Sequence, residues 1–185
     1  TYLNAVHPRA GVYDGFLVHS RGRAAAGLGE GGRASDALSG PPVHLRTDGT
    51  TPVLVVEAEG DLVAPMGFAP ARQPDTDHIR LWEMAGTAHA DRYAAGDIGS
   101  LLGCPAPINE GPAHYLLKSA LRSLDRWVAT GEAPPIAPRI EVDADGAVVR
   151  DAVGNVLGGI RTPVVDVPAA TLSGDPVGDV LMCQL

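Results

Sequence analysis

Residues 51–93 read TPVLVVEAEGDLVAPMGFAPARQPDTDHIRLWEMAGTAHADRY, and this stretch decides the fold. It opens on an apolar run, Val53 to Val56, that follows Pro52, is broken at Glu57 and is closed by Asp61 and Pro65. A second mainly apolar run, Ile79 to Met84, is followed within a few residues by His89. Each run is about one strand long and rich in Val, Leu and Ile, the composition of strands buried on both faces of a parallel sheet. Each then delivers an ionisable residue just beyond its carboxyl end, which is where sites form in open α/β sheets. Asp61 and His89 are therefore the candidate functional pair. A carboxylate that fixes the tautomer of an imidazole, leaving its other nitrogen to move a proton, is the chemistry that needs these two residue types.

The pattern resembles the last third of an α/β-hydrolase. In that superfamily the penultimate strand presents the triad acid and the final strand the triad histidine, in the same chain order. Pro52, the apolar run, the turn at residues 57–60, Asp61 and Pro65 match the acid segment, and Gly86-Thr87-Ala88-His89 matches the histidine segment. The segments YLNAVHP, VYDGFLVHSRG, ARQPDTDHIRLWEMAGTAHAD and GGIRTPVVDVPAATLSG are similar to the family of α/β hydrolase domain-containing proteins. In that family the serine elbow lies just before the segment matching Thr1 to Pro8. The resemblance thus implies that this chain starts within the helix after the nucleophile and stops, at Cys183-Gln184-Leu185, short of the family's end. Glu59 is the rival acid, because the family's turn often carries both a glutamate and an aspartate. Glu57, at the strand end, is expected to be solvated.

Ser20 is the one candidate nucleophile inside the chain. His19-Ser20-Arg21-Gly22 has some likeness to an elbow, and the order Ser20, Asp61, His89 is the right one. Against it, Val18 occupies the position where a small residue allows the sharp strand-to-helix turn. The sequence after Ser20 is glycine-rich rather than helical, and the interval to Asp61 is too short for another crossover helix, strand and cap. A strand-end serine is the plainer reading.

The remaining features set the frame. The 185 residues suit one domain with a sizeable core. A 45% hydrophobic composition and a mean hydropathy near zero indicate a soluble globular protein. Fourteen basic against 22 acidic residues give a net charge of −8 with no basic patch, which argues against nucleic acid or an anionic membrane as partner. No apolar run approaches the ~20 residues that span a bilayer. Cys104 and Cys183 match no metal spacing and are either bonded or two free thiols. Asp75, Asp77 and His78 form an apparent ligand cluster that reads more simply as a turn before a strand.

Along the chain, Thr1 to Pro8 reads as a helix end stopped by Pro8, and Gly15 to Ser20 as a short buried strand. Residues 21–50 read as a cap or loop insertion. Ala113 to Thr130 is the clearest helix, with Leu116, Leu117, Ala120, Leu121, Leu124, Trp127 and Val128 in one stripe and Gly131 as its stop. Beyond it, Arg139 to Val142 and Ala147 to Arg150 alternate around Asp145-Gly146 as a hairpin, and Thr162 to Leu172 reads as extended. The expected architecture is α/β: residues 1–135 as the C-terminal part of an α/β-hydrolase domain, and 136–185 as a β-rich appendage. The expected function is that of a partial serine hydrolase on a small-molecule, ester-like substrate, without metal or cofactor. The different-class alternative is a non-catalytic binding or structural module on the same fold.

Overall fold

The computed structural model describes residues 1–33, 35–96 and 103–175. Its centre is a three-stranded parallel sheet in the order β1-β2-β3, formed by β1 (Phe16–His19), β2 (Val53–Ala58) and β3 (Ile79–Met84). Phe16 lies opposite Val53, and Val53 opposite Ile79, so all three strands start level and run the same way. These are the strands expected from the sequence, in the expected parallel order. β2 runs two residues beyond the apolar stretch, through Glu57 and Ala58.

All six residues of β2 are buried, because both faces of the sheet are covered. Alternate residues point to opposite faces. Leu54, Val56 and Ala58, with Trp82 and Met84, pack against Ala113, Ala120, Leu124 and Trp127 of the long helix. Val53 and Val55, with Ile79 and Leu81, pack against Leu62, Phe68 and Ala71 after β2 and against Ile140, Val156 and Val165 from the end of the chain. The long helix spans Ala113–Thr130 and ends at Gly131, whose φ of 77° supplies the left-handed stop. Its stripe is narrower than the sequence suggests: Leu121 is 58% exposed and Val128 40% exposed.

In chain order the α-helices among the described residues are α1 (Tyr2–Ala5), α2 (His7–Ala10), α3 (Asp36–Ser39), α4 (Arg92–Ala95), α5 (Ala113–Thr130) and α6 (Pro163–Asp166). Two expectations are corrected here. Pro8 does not stop a helix; it sits in the first turn of α2, where a missing N–H costs nothing. The segment from Thr162 is not wholly extended, because Thr162 and Pro163 start α6 and its Val165 is fully buried. After α5 the chain makes single antiparallel bridges, Val142 with Val148, Ile140 with Gly158 and Arg150 with Val156, and then a parallel bridge from Ile160 to Met84 at the edge of β3.

Glu83, in β3, is fully buried and needs a countercharge. Arg72 supplies it through two hydrogen bonds of 2.7 and 2.8 Å, and Glu83 Oε2 also accepts the Ile140 N–H at 2.7 Å. Deleting the guanidinium leaves a buried charge unpaired, which costs about 3–5 kcal/mol. Arg72→Ala is accordingly expected to lower unfolding stability by that order in urea titration, with Arg72→Met/Glu83→Leu recovering most of the loss. An unchanged midpoint in Arg72→Ala would contradict the assignment.

Candidate active site

The site is assembled at the carboxyl ends of β2 and β3. β2 leads directly into a 3-10 turn, Glu59–Leu62, all four residues of which are buried. Asp61 folds back so that its Oδ2 accepts the Ala58 N–H at 2.6 Å, which ties the carboxylate to the strand end. β3 leads into Ala85-Gly86-Thr87-Ala88-His89. Gly86 has φ +73°, and a Cβ there would stand 2.7 Å from Val165 Cγ2, so the turn requires glycine on both counts. Thr87 Oγ1 donates to Met84 O at 2.8 Å and pins the loop to the strand.

These two turns bring Asp61 and His89 together. His89 Nδ1 meets Asp61 Oδ1 at 2.6 Å; the aspartate is fully buried and the imidazole side chain 25% exposed. Among the described residues no group hydrogen-bonds His89 Nε2. The Asp61 hydrogen bond raises the His89 pKa above the ordinary histidine value, against the opposing effect of partial burial.

Glu59, the rival acid, faces the other way. Its Oε2 accepts the Gly86 N–H at 2.8 Å, and its Oε1 accepts Gly174 N–H at 3.0 Å and Arg150 Nη2 at 2.8 Å. Burial raises its pKa, and the Gly174 amide and Arg150 offset that rise in part. Arg150 also donates to Ser173 Oγ and pairs with Asp175 at 2.7 Å, while Asn109 Nδ2 donates to Gly86 O and Ser173 O. The segment from Arg150 to Asp175 therefore returns to the site. The approach is close: a Cβ on Gly60 would lie 2.5 Å from Gly174 O, and one on Gly174 2.3 Å from Thr87 O. Sequence reading missed Asn109, Arg150 and Gly174. Only Gly174 carried a signal, as the last residue of the family-like segment ending in Leu172-Ser173-Gly174.

Ser20 lies at the end of β1, with its N–H donating to Val56 O at 3.0 Å. Its φ of 50° is the only positive value at a non-glycine among the described residues, a strained conformation. Its Oγ sits 3.1 Å from His19 Nε2, not on His89. No helix follows it until Asp36, so the turn lacks the helix amino end of a nucleophile elbow. Burial lowers the His19 pKa, while Asp61, His89 and Asp91 are near enough to act on it.

Glu57 was expected to be solvated; it is fully buried, because the 3-10 turn and Arg21 close over the strand end. Asp75 accepts Leu81 N–H at 2.9 Å and pairs with Arg139 at 2.5 Å, and Thr76 Oγ1 accepts the N–H groups of His78 and Ile79, so this cluster builds a turn. Among the described residues no group of three or more His, Cys, Asp or Glu could hold a metal ion. Cys104 is disulfide-bonded, and Cys183 lies outside the described residues. A hollow at the amino ends of β2 and β3, lined by His7, Thr51 and His78, lies at the opposite end of the strands from Asp61 and His89. No helix among the described residues is long and apolar enough to cross a membrane.

A family model described as "Alpha/beta hydrolase domain" matches residues 1–185. The chain belongs to the α/β-hydrolase family. Its parallel strands and the helix after the histidine loop are those of the family's α/β fold, as the resemblance implied. Comparison with curated proteins and with solved structures gives no match.

Two outcomes are expected. The His89 ring, followed by NMR, should titrate above the unperturbed histidine value, and Asp61→Asn should lower it. A histidine whose pKa is raised on folding adds stability that is fully present below its unfolded pKa and is lost as pH rises through the folded value. The difference in stability between wild type and His89→Ala should therefore shrink as pH rises through that value. For the tie to residues 150–174, Glu59→Ala should cost about 1–3 kcal/mol, chiefly by leaving the Gly86 and Gly174 amides without their acceptor, since Arg150 keeps Asp175 and Ser173. It should also speed hydrogen exchange at Gly86 and Gly174, and unchanged exchange there would contradict the tie.

Proposed function

We propose that this chain carries the acid–base part of a serine-hydrolase site that acts on an ester-like bond by acyl transfer. His89 Nε2 takes the proton of a serine hydroxyl as its oxygen attacks the carbonyl carbon, then returns that proton to the departing alcohol. The same imidazole activates the water that cleaves the acyl-enzyme. Asp61 holds the Nδ1 proton, orients the ring and stabilises the imidazolium. The observation that carries this reading is the 2.6 Å contact of a fully buried carboxylate with Nδ1 of a partly exposed histidine. In the proposal the nucleophilic serine and the oxyanion-hole amides precede Thr1, since Ser20 Oγ is engaged by His19 and lacks a following helix. The 185 residues alone are then inactive.

The test is turnover of a short-chain aryl ester by the longer protein that includes the preceding segment. His89→Ala and Asp61→Asn should each lower kcat by roughly three to four orders of magnitude or more, with little change in KM. The acid limb of the rate profile should lie above the ordinary histidine value and move down in Asp61→Asn. The 185-residue chain should be inert. Wild-type turnover that survives both substitutions would sink the proposal, and ligand binding without turnover on any ester would favour a non-catalytic module.

A further inference from the structure

Four carboxyls are fully buried at or beside the ends of β2 and β3: Glu57, Glu59, Asp61 and Glu83. Glu59 has Arg150, Glu83 has Arg72 and Asp61 has His89. Glu57 has no ion pair among the described residues. One oxygen, Oε1, accepts a long hydrogen bond of 3.4 Å from the Arg21 backbone N–H, and Oε2 has no hydrogen-bond partner. The Arg21 guanidinium is turned to Val43 O. The strand neighbour in register is Glu83, whose charge Arg72 already meets. After burial itself, the group that bears most on Glu57 is Asp61, in the turn that folds back over the strand end.

An isolated carboxylate in such a place is very costly, and burial pushes the Glu57 carboxyl well above the usual carboxylate range. A protonated carboxyl has an O–H to give. The charged groups that act on Glu57 are Asp61, which would accept, and Arg21, whose buried Nε has no hydrogen-bond partner among the described residues and which only donates. Asp61 already accepts from Ala58 N and His89 Nδ1, one on each oxygen, and each carboxylate oxygen can accept twice.

We propose that Glu57 is a positioning residue for the Asp61–His89 pair: it remains a neutral carboxylic acid and hands its proton, as a hydrogen-bond donor, to the Asp61 carboxylate. The inference rests on the proposed role of that pair, but its geometry does not depend on turnover. Sharing a donor spreads the Asp61 charge and limits how strongly it attracts the imidazolium. It also holds the carboxylate plane, and hence the ring, in one orientation. The burial of a glutamate at the end of an otherwise apolar strand is explained by that role, where a leucine would pack as well.

The test uses the wild-type protein first, with 13C-labelled glutamate and labelled histidine. The Glu57 side-chain carboxyl carbon should show the shift of a protonated acid at pH 7, and it should move in step as the His89 ring titrates. A carboxylate shift at pH 7, or no response to His89, would overturn the proposal without any variant. Substitution adds a second arm. Glu57→Gln keeps a neutral donor of the same shape, so the His89 ring pKa should stay within about half a unit of wild type. Glu57→Leu removes the donor, leaves the Asp61 charge unshared and should raise that pKa by roughly one unit or more. A fall in Glu57→Gln would mean that an anion had been removed, and no change in Glu57→Leu would mean that the two groups are uncoupled; either result contradicts the inference. These are ring and carboxyl titrations rather than rates, so failure of the hydrolase reading would leave them standing, and the converse also holds.

Discussion

The structure depends on where the Asp61 carboxylate is held. One oxygen takes the amide of Ala58, at the last residue of β2, and the other takes Nδ1 of His89, beyond β3. That single side chain joins two strand ends that are adjacent in the sheet but well separated in sequence. A short charge-assisted hydrogen bond of this kind is stronger than a neutral one. Burial of the carboxylate keeps water from competing for it, and partial exposure of the ring leaves the other nitrogen able to meet a ligand.

The sheet makes this possible and also makes it expensive. With α5 on one face and residues 62–71 together with Ile140, Val156 and Val165 on the other, β2 is sealed along its whole length. Carboxyls at its end cannot rely on water and must find partners within the protein. Glu83 uses Arg72, 11 residues before it, Glu59 uses Arg150, 91 residues on, Asp61 uses the histidine, and Glu57, with no ion pair among the described residues, is proposed to bind a proton. The segment after α5 is consequently more than a cover for the sheet. Through Arg150, Ser173 and Gly174 it fixes Glu59, and through Glu59 it fixes the Gly86 amide of the histidine loop.

Much of this was legible in the sequence, for identifiable reasons. β2 and β3 are largely buried on both faces and so read as mainly apolar runs, and α5 reads from its three-and-four spacing even though Leu121 and Val128 face outward. Asp61 and His89 were legible because each follows its strand at a short distance. The partner of Glu59 was not, since Arg150 lies 91 residues away and nothing local marks it. The burial of Glu57 was hidden as well: a glutamate ending an apolar run looks like the point where a strand meets solvent, and only the fold-back of residues 59–62 covers it. Pro8 was misread because a proline that ends one segment is equally at home in the first turn of the next helix.

The proposal on which the rest turns is that His89, oriented by Asp61, serves a serine ahead of Thr1. It is tested most directly by treating the longer protein with a serine-directed fluorophosphonate and mapping the adduct by peptide mass spectrometry. The account expects one modified serine ahead of Thr1, and no adduct when His89 is replaced by alanine. An adduct on Ser20, or labelling that persists without the imidazole, would contradict it.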